Sequence, residues 1–224
     1  MNLLPKNDER LTIIGRTGSG KSHYALYHLA LRNLKNFKWL IINTKGSSML
    51  YDIPKVRPIT FNDNFLNTKN GLYIIEPLPN EYDEERLNQL FFKIWSIGNC
   101  GLFIDEAMDI GHLENYKLIL RQGREKQIPV IQCIQRPSDR TLNRHVISES
   151  EYYQVFYLND KRDRKVVENF TTIKDEDFNE LEISRESYYF IVKTNELFKL
   201  EPAPDIDTIY SIFERKLKEK PNIL

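Results

Sequence analysis

Short apolar runs alternate with amphipathic stretches from the first dozen residues onward. Leu11 to Ile14 reads as a buried strand, and Ser22 to Leu34 as a helix with Ala25, Leu26, Leu29 and Ala30 on one face. Trp39 to Ile42 is a second strand and Leu72 to Ile75 a third. Glu84 to Ile97 carries Leu87, Leu90, Phe91 and Ile94 at helical spacing. Leu102 to Ile104 supplies a fourth strand, a helix follows from about Glu114 to Lys126, and Pro129 to Ile134 is a fifth strand. This repetition predicts an α/β fold, with a mostly parallel central sheet flanked by helices. In such folds ligands sit at the carboxyl ends of the strands.

The pattern changes after Pro137. Tyr152 to Leu158 and Tyr188 to Val192 are aromatic-rich strand candidates, and residues 193–196 can turn the second into Leu197 to Leu200 as a hairpin. These read as antiparallel C-terminal edge strands of the same sheet. Glu201 to Asp205 breaks the chain, and Ile206, Ile209, Tyr210, Phe213 and Leu217 mark a last amphipathic helix. The acidic segment Lys174 to Glu186 reads as a solvated helix and loop. Residues 1–224 are therefore expected to form a single domain, with a core at about 11–138 and the later strands and helix at about 150–220.

Composition narrows this little. The 32 basic and 32 acidic side chains cancel, so no global field favours an anionic partner, and any such partner must be met locally. Cys100 and Cys133 lie in apolar runs and read as reduced, packed thiols. The most apolar window, Leu90 to Ile104, is broken by Lys93, Asn99 and two glycines, so the chain is expected to be soluble, with no transmembrane segment of its own.

Two motifs carry chemistry. Gly15, Arg16, Thr17, Gly18, Ser19, Gly20, Lys21 and Ser22 fit G-x-x-x-x-G-K-[ST], between the first strand and the first helix, where a phosphate-binding loop belongs. Backbone N–H groups and the helix N-terminus would cradle the phosphates of ATP, Lys21 would reach the β- and γ-phosphates, and the Ser22 hydroxyl would ligate Mg²⁺. Leu102 to Glu106 is an apolar strand ending in two carboxylates. Asp105 is placed to hold the Mg²⁺ shell and Glu106 to orient and polarise the attacking water, which favours hydrolysis over transfer to a small acceptor. The guanine-reading N-K-x-D and the transporter-type L-S-G-G-Q motifs are absent.

With Gly123-Arg124-Glu125 ahead of a strand that ends in Gln135-Arg136-Pro137-Ser138, these motifs resemble the motor core of the HerA/FtsK superfamily, a RecA-like group of P-loop ATPases that pump DNA. The resemblance implies that Gln135 senses the γ-phosphate or its water. It also implies that Arg124 is presented to the neighbouring subunit's ATP as a trans arginine finger, with Arg121 and Arg136 as alternates. The superfamily's acidic residue after the second strand is replaced in Asn43-Thr44-Lys45-Gly46, which leaves a charge-dependent role at Asn43 in doubt and Lys45 as a basic contact or a turn residue.

A nearly bare motor is similar to the genome-packaging ATPases of tailless double-stranded DNA viruses. That likeness implies a Mg-dependent ATPase that drives duplex DNA into a preformed capsid. It further implies a homo-oligomeric ring, a hexamer, working with capsid or packaging-vertex proteins in the host cytoplasm or the virion. Contacts would run to the DNA backbone, with Lys45, Lys161 to Lys165 and the Arg140 to Arg144 segment as candidates, each of which otherwise reads as a solvated charged loop. Phage assembly or conjugative transfer on the same core is the near alternative. A nucleoside or nucleotide kinase, which would need an acceptor pocket and an arginine-rich lid for which Lys161 to Lys165 could be mistaken, and an assembly factor that uses ATP as a switch are the distant ones.

Overall fold

The computed structural model describes residues 4–77, 84–139, 144–181 and 184–218. In chain order the elements are β1 (Arg10–Ile14), α1 (Lys21–Leu31), β2 (Lys38–Ile42), α2 (Ser48–Tyr51), β3 (Arg57–Pro58), β4 (Gly71–Ile75), α3 (Glu84–Ile97), β5 (Cys100–Ile104), α4 (Glu114–Gln122), β6 (Val130–Ile134), α5 (Arg144–Ser148), β7 (Tyr152–Val155), α6 (Lys161–Glu168), β8 (Ser187–Ile191), β9 (Glu196–Leu200) and α7 (Ile206–Leu217), with 3-10 turns at Phe65–Asn67 and Asp175–Leu181. The strands described form one nine-stranded sheet in the order β3-β4-β2-β5-β6-β1-β7-β8-β9.

Strands β3 through β7 in that order are parallel, and β8 and β9 are antiparallel. The mostly parallel sheet with an antiparallel C-terminal edge is thus the expected fold. One strand expected at the antiparallel edge belongs elsewhere: β7 runs parallel to β1, because the segment that carries α5 gives the chain the crossover that parallel pairing needs.

Alternation along the strands divides the core in two. Leu40, Ile42, Leu102, Ile104 and Val130 face the helices α3 to α6, whereas Leu11, Ile13, Trp39, Ile41 and Phe103 face α1 and α7. The boundary differences have local causes. α4 stops at Gln122, short of the expected Lys126, because the chain folds back over Gly123: Lys126 N and Ile128 N both donate to Gly123 O, and Gln127 takes φ 56. Lys161 to Lys165, read as a loop, begins α6, whose N-cap Asp160 accepts a hydrogen bond from Arg162 N at 2.8 Å. The acidic segment is anchored, since Phe178 and Leu181 of its 3-10 turn are buried.

Two buried polar side chains tie helices to the sheet. Gln132, in the middle of β6, donates to Thr12 Oγ1 at 2.8 Å and to Val146 O at 2.7 Å and accepts from Tyr116 Oη at 2.6 Å, linking β6 to β1, α4 and the α5 region. His28 of α1 sits 2.7 Å from Gln154 Oε1 on β7, and Gln154 donates to Ser187 Oγ on β8. Burial lowers the His28 pKa from 6.5 to about 3, and the nearby Arg32 adds to the effect against the opposing Gln154 hydrogen bond.

The folded state therefore holds His28 neutral while the unfolded chain protonates near pH 6.5, so its stabilising contribution is complete above about pH 6.5 and is lost as pH falls toward 3. Urea unfolding across this window should show the wild type losing stability more steeply than His28→Gln, by at most about 1.4 kcal/mol per pH unit.

Candidate active site

The phosphate-binding loop joins β1 to α1 at the carboxyl end of the sheet. Gly15 N donates to Ile134 O of β6 at 3.1 Å, and Arg16 N donates to Tyr157 O beyond β7 at 3.3 Å, so both neighbouring strands fix the loop. A Cβ at Gly15 would lie 2.7 Å from Phe156 Cβ and 2.6 Å from Ser19 Oγ. Gly18 and Gly20 have φ 79 and 96, in the region that favours glycine, and Gly20 is the N-cap of α1. Arg16, Thr17 and Gly18 are exposed and Lys21 is buried.

Beneath the loop, four charges converge from two strands' ends and a helix start. Ser22 lies beside the Asp105 carboxylate, close enough to offset part of the effect of burial on it. Lys45 Nζ, from the turn after β2, lies 2.7 Å from Glu106 Oε2, a close ion pair set off the line of a hydrogen bond and leaving both carboxylate oxygens without hydrogen-bond partners. Burial holds the Lys21 pKa below its ordinary value. Burial also raises those of Asp105 and Glu106, against the opposing pull of Lys45 and Lys21. For Lys45, burial lowers the pKa, but the close Glu106 carboxylate and the charge of Asp105 outweigh it, and the net shift is upward. Cys133 lies against this cluster as a buried free thiol whose pKa is driven up by burial.

The Ser22 hydroxyl at the start of α1 and the Asp105 carboxylate just after β5 are an all-oxygen donor pair, which suits a hard cation such as Mg²⁺ that keeps most of its waters. Among the described residues no group of three or more His, Cys, Asp or Glu side chains is gathered as a metal cage.

Gln135, just past β6, reaches the loop: Thr17 Oγ1 donates to its Oε1 at 3.2 Å. Gln135, Arg16, Thr17 and Arg136 line a cleft of about 450 Å³ with Leu158, Asn159, Asp160 and Asp163. A larger cleft, about 510 Å³, lies between Phe61 to Leu66 and α3, away from these groups. Arg124 is not brought to this site. It lies in the turn before β6, toward the amino ends of the parallel strands and away from the loop, 56% exposed and 3.5 Å from Asp8 Oδ2. Arg121, in the last turn of α4, is exposed on that side as well. Arg136 is exposed beside the site.

Of the basic segments, Lys161 to Lys165 is partly committed inward. Asp163 Oδ1 accepts from Ser138 N at 2.8 Å, and Arg164 Nε donates to Leu158 O at 2.7 Å. In the Arg140 to Arg144 segment, residues 140–143 lie outside the described residues and Arg144 begins α5. The turn after β2 is the part that sequence reasoning undervalued. Asn43 Oδ1 accepts from Ser47 N at 2.9 Å while its Nδ2 donates to Ser47 O at 3.2 Å, so the amide clamps the turn that presents Lys45 in a way a carboxylate could not. Its one sequence signal was the lysine and glycine following a strand.

The loop and its carboxylates on this sheet define a P-loop nucleoside triphosphatase. No protein-family model matches the chain. It is 31% identical over 228 residues to the DNA packaging ATPase P9 of Enterobacteria phage PRD1, covering 98% of both chains. Among solved structures it resembles the genome packaging NTPase B204 of Sulfolobus turreted icosahedral virus 2 in complex with ATP-gammaS, with a TM-score of 0.69 at 17% identity over 91% of this chain and 100% of that one. It also resembles the cytoplasmic domain of the type VII secretion ATPase EccC of Thermomonospora curvata, with a TM-score of 0.61 at 16% identity over 97% of this chain and 29% of that one. These two structures share its fold. The likeness to P9 shows more, and the chain belongs to the family of that DNA packaging ATPase.

Because Gly15 has no room for a side chain, Gly15→Ala should weaken binding of a fluorescent ATP analogue by about tenfold or more, or roughly 1.4 kcal/mol. Far-UV circular dichroism should remain that of the wild type.

Proposed function

We propose that the chain is the ATP-hydrolysing motor that drives double-stranded viral DNA into a preformed capsid. The observation that carries this reading is the likeness to a DNA packaging ATPase across 98% of both chains. The activity in that relative's name therefore belongs to the matched residues. The cluster at the carboxyl ends of β1, β5 and β6 supplies the chemistry.

In this reading the loop N–H groups and Lys21 hold the β- and γ-phosphates of ATP, and Ser22 and Asp105 hold Mg²⁺. The cation, when bound, neutralises charge on the phosphate oxygens. Glu106 takes a proton from a water whose oxygen bonds to the γ-phosphorus as the bond to the β–γ bridging oxygen breaks, giving ADP and inorganic phosphate. Gln135 reports the γ-phosphate to β6. Arg124, at the far end of that five-residue strand, is too distant for its own subunit's loop at about 3.3 Å per residue, which suits presentation to a neighbour in a homo-oligomeric ring. DNA would be gripped through its phosphates, with weak contacts multiplied by the ring. The ring would work at the capsid's packaging vertex with capsid proteins, in the host cytoplasm or the virion. Among the described residues no helix is long and apolar enough to cross a membrane.

Against the kinase alternative, Asp163 and Arg164 of the basic segment are buried and bonded within the fold, although Lys161, Arg162 and Lys165 are exposed.

Steady-state ATPase assays with subunit mixing test the proposal. Turnover should rise with protein concentration and with duplex DNA and should be lost in Lys21→Ala and Glu106→Gln. Arg124→Ala subunits mixed into wild type should depress the rate beyond simple dilution, since a trans arginine contributes about 10³-fold or more. Turnover that ignores both concentration and DNA would contradict a ring that moves DNA.

A further inference from the structure

The chain as a whole carries no net charge, yet the fold gathers cations in one place. A cleft of about 350 Å³ opens beside the amino ends of β3 and β4 and the last turn of α7. Lys35, Lys55, Arg57, Lys69 and Lys218 make up half of the ten residues that line it, in a chain where 32 of 224 are lysine or arginine, and no carboxylate is among the ten. A second cleft, of about 290 Å³, shares Leu34 and Lys35 with the first and adds Arg32 and Lys216. The cations come from the loop after α1, the turn before β3, β3 itself, the approach to β4 and the end of α7, so only the fold brings them together.

Little within the fold balances this charge. Lys55 Nζ donates to Leu217 O at 2.9 Å and Lys216 Nζ to Arg32 O at 2.8 Å, which commits two of the cations to backbone carbonyls. Arg57 is oriented by Tyr73, whose Oη accepts from Nη1 at 2.8 Å. Lys35, Lys69 and Lys218 are exposed, and among the described residues their side chains have neither a hydrogen bond nor an ion pair. Burial and the neighbouring Arg215 and Arg32 lower the Lys216 pKa, as expected where like charges crowd. One small anion cannot meet cations spread over two clefts, so the charge calls for a polyanion. Membrane surfaces are held by basic faces that also offer apolar anchors, and the exposed large apolar side chains among the described residues line neither cleft. A protein partner is held by aromatic anchors at the centre of its interface, and neither cleft has an aromatic residue. Duplex DNA needs only phosphate contacts.

We propose that this cationic groove is a binding surface for duplex DNA, which Lys35, Lys55, Arg57, Lys69 and Lys218 grip through backbone phosphates without reading sequence. The inference rests on the packaging reading and adds a place to it. DNA lies along the amino ends of β3 and β4, whereas the nucleotide lies at the carboxyl ends of the strands. The sheet separates the two ligands, and β2, which follows Lys35, runs from one toward the other. Neither Lys45 nor Lys161 to Lys165 lines the groove.

Fluorescence anisotropy of a labelled duplex of arbitrary sequence, read across a salt series, tests the proposal. Lys35→Gln, Lys69→Gln and Lys218→Gln combined should weaken binding by about tenfold or more at about 0.1 M salt. The plot of log affinity against log salt should become shallower by about 2 to 3, since each phosphate contact contributes about 0.9. Lys35→Arg, Lys69→Arg and Lys218→Arg combined keep the charge and should bind as the wild type does. Both triple variants should retain the wild-type thermal midpoint and DNA-free ATPase rate, because the three side chains bond to nothing within the described fold. A control triple, Lys93→Gln, Lys174→Gln and Lys193→Gln, removes the same charge from exposed positions elsewhere and should change affinity by less than about twofold. Equal losses in the two glutamine triples, or wild-type affinity and slope in the first, would overturn the groove and leave the packaging reading standing. A wild type that binds no duplex even at low salt would overturn both. Phosphatidylglycerol vesicles should not displace the duplex; vesicle binding that the first triple abolishes, with duplex binding intact, would assign the groove to an anionic membrane surface and overturn the proposal.

Discussion

Everything at the carboxyl edge of the sheet answers to one constraint, that charges taken out of water must be matched. Lys21, Asp105 and Glu106 are each buried, and no two of them neutralise the third. Lys45 completes the balance, bringing two cations against two carboxylates. The fourth charge comes from a turn that sequence distance separates from the others, and β2 lies beside β5 in the sheet, which is what brings it in. The parallel order of strands is therefore a condition for the site, because it puts four chain segments' ends at one edge.

The same geometry explains why β6 is central. Its middle is fixed by Gln132, whose amide is satisfied from β1, α4 and the α5 region. Its carboxyl end delivers Gln135 to the phosphate loop, and the turn before its amino end carries Arg124. A strand anchored at its centre behaves as a rigid spacer. In the proposed ring, the nucleotide sensed at one end and the neighbour's nucleotide at the other would be joined by a segment that has little freedom to deform.

Much of this was legible in the sequence because the signals are local. The glycines of the loop, the lysine and serine after them, and an apolar strand ending in two acids specify chemistry within a few residues of one another, and strand–helix alternation specifies the sheet. The parts that escaped reading depend on neighbours far along the chain. Gln132 was hidden inside an apolar run because its three partners come from residues 12, 116 and 146. Lys161 to Lys165 read as a charged loop, although Asp160 caps it as a helix and Asp163 and Arg164 turn inward to Ser138 and Leu158. β7 looked like part of an antiparallel edge because aromatic alternation is the same in either direction. Asn43 looked like a lost acid, and only the turn geometry shows that the amide is needed as donor and acceptor together.

The central claim is that hydrolysis at this cluster drives DNA into capsids, and the DNA content of virus particles tests it most directly. Capsids recovered from cells in which the only copy of this chain carries Glu106→Gln should be complete in protein and empty of DNA. Filled capsids from that variant, at wild-type yield, would contradict the account.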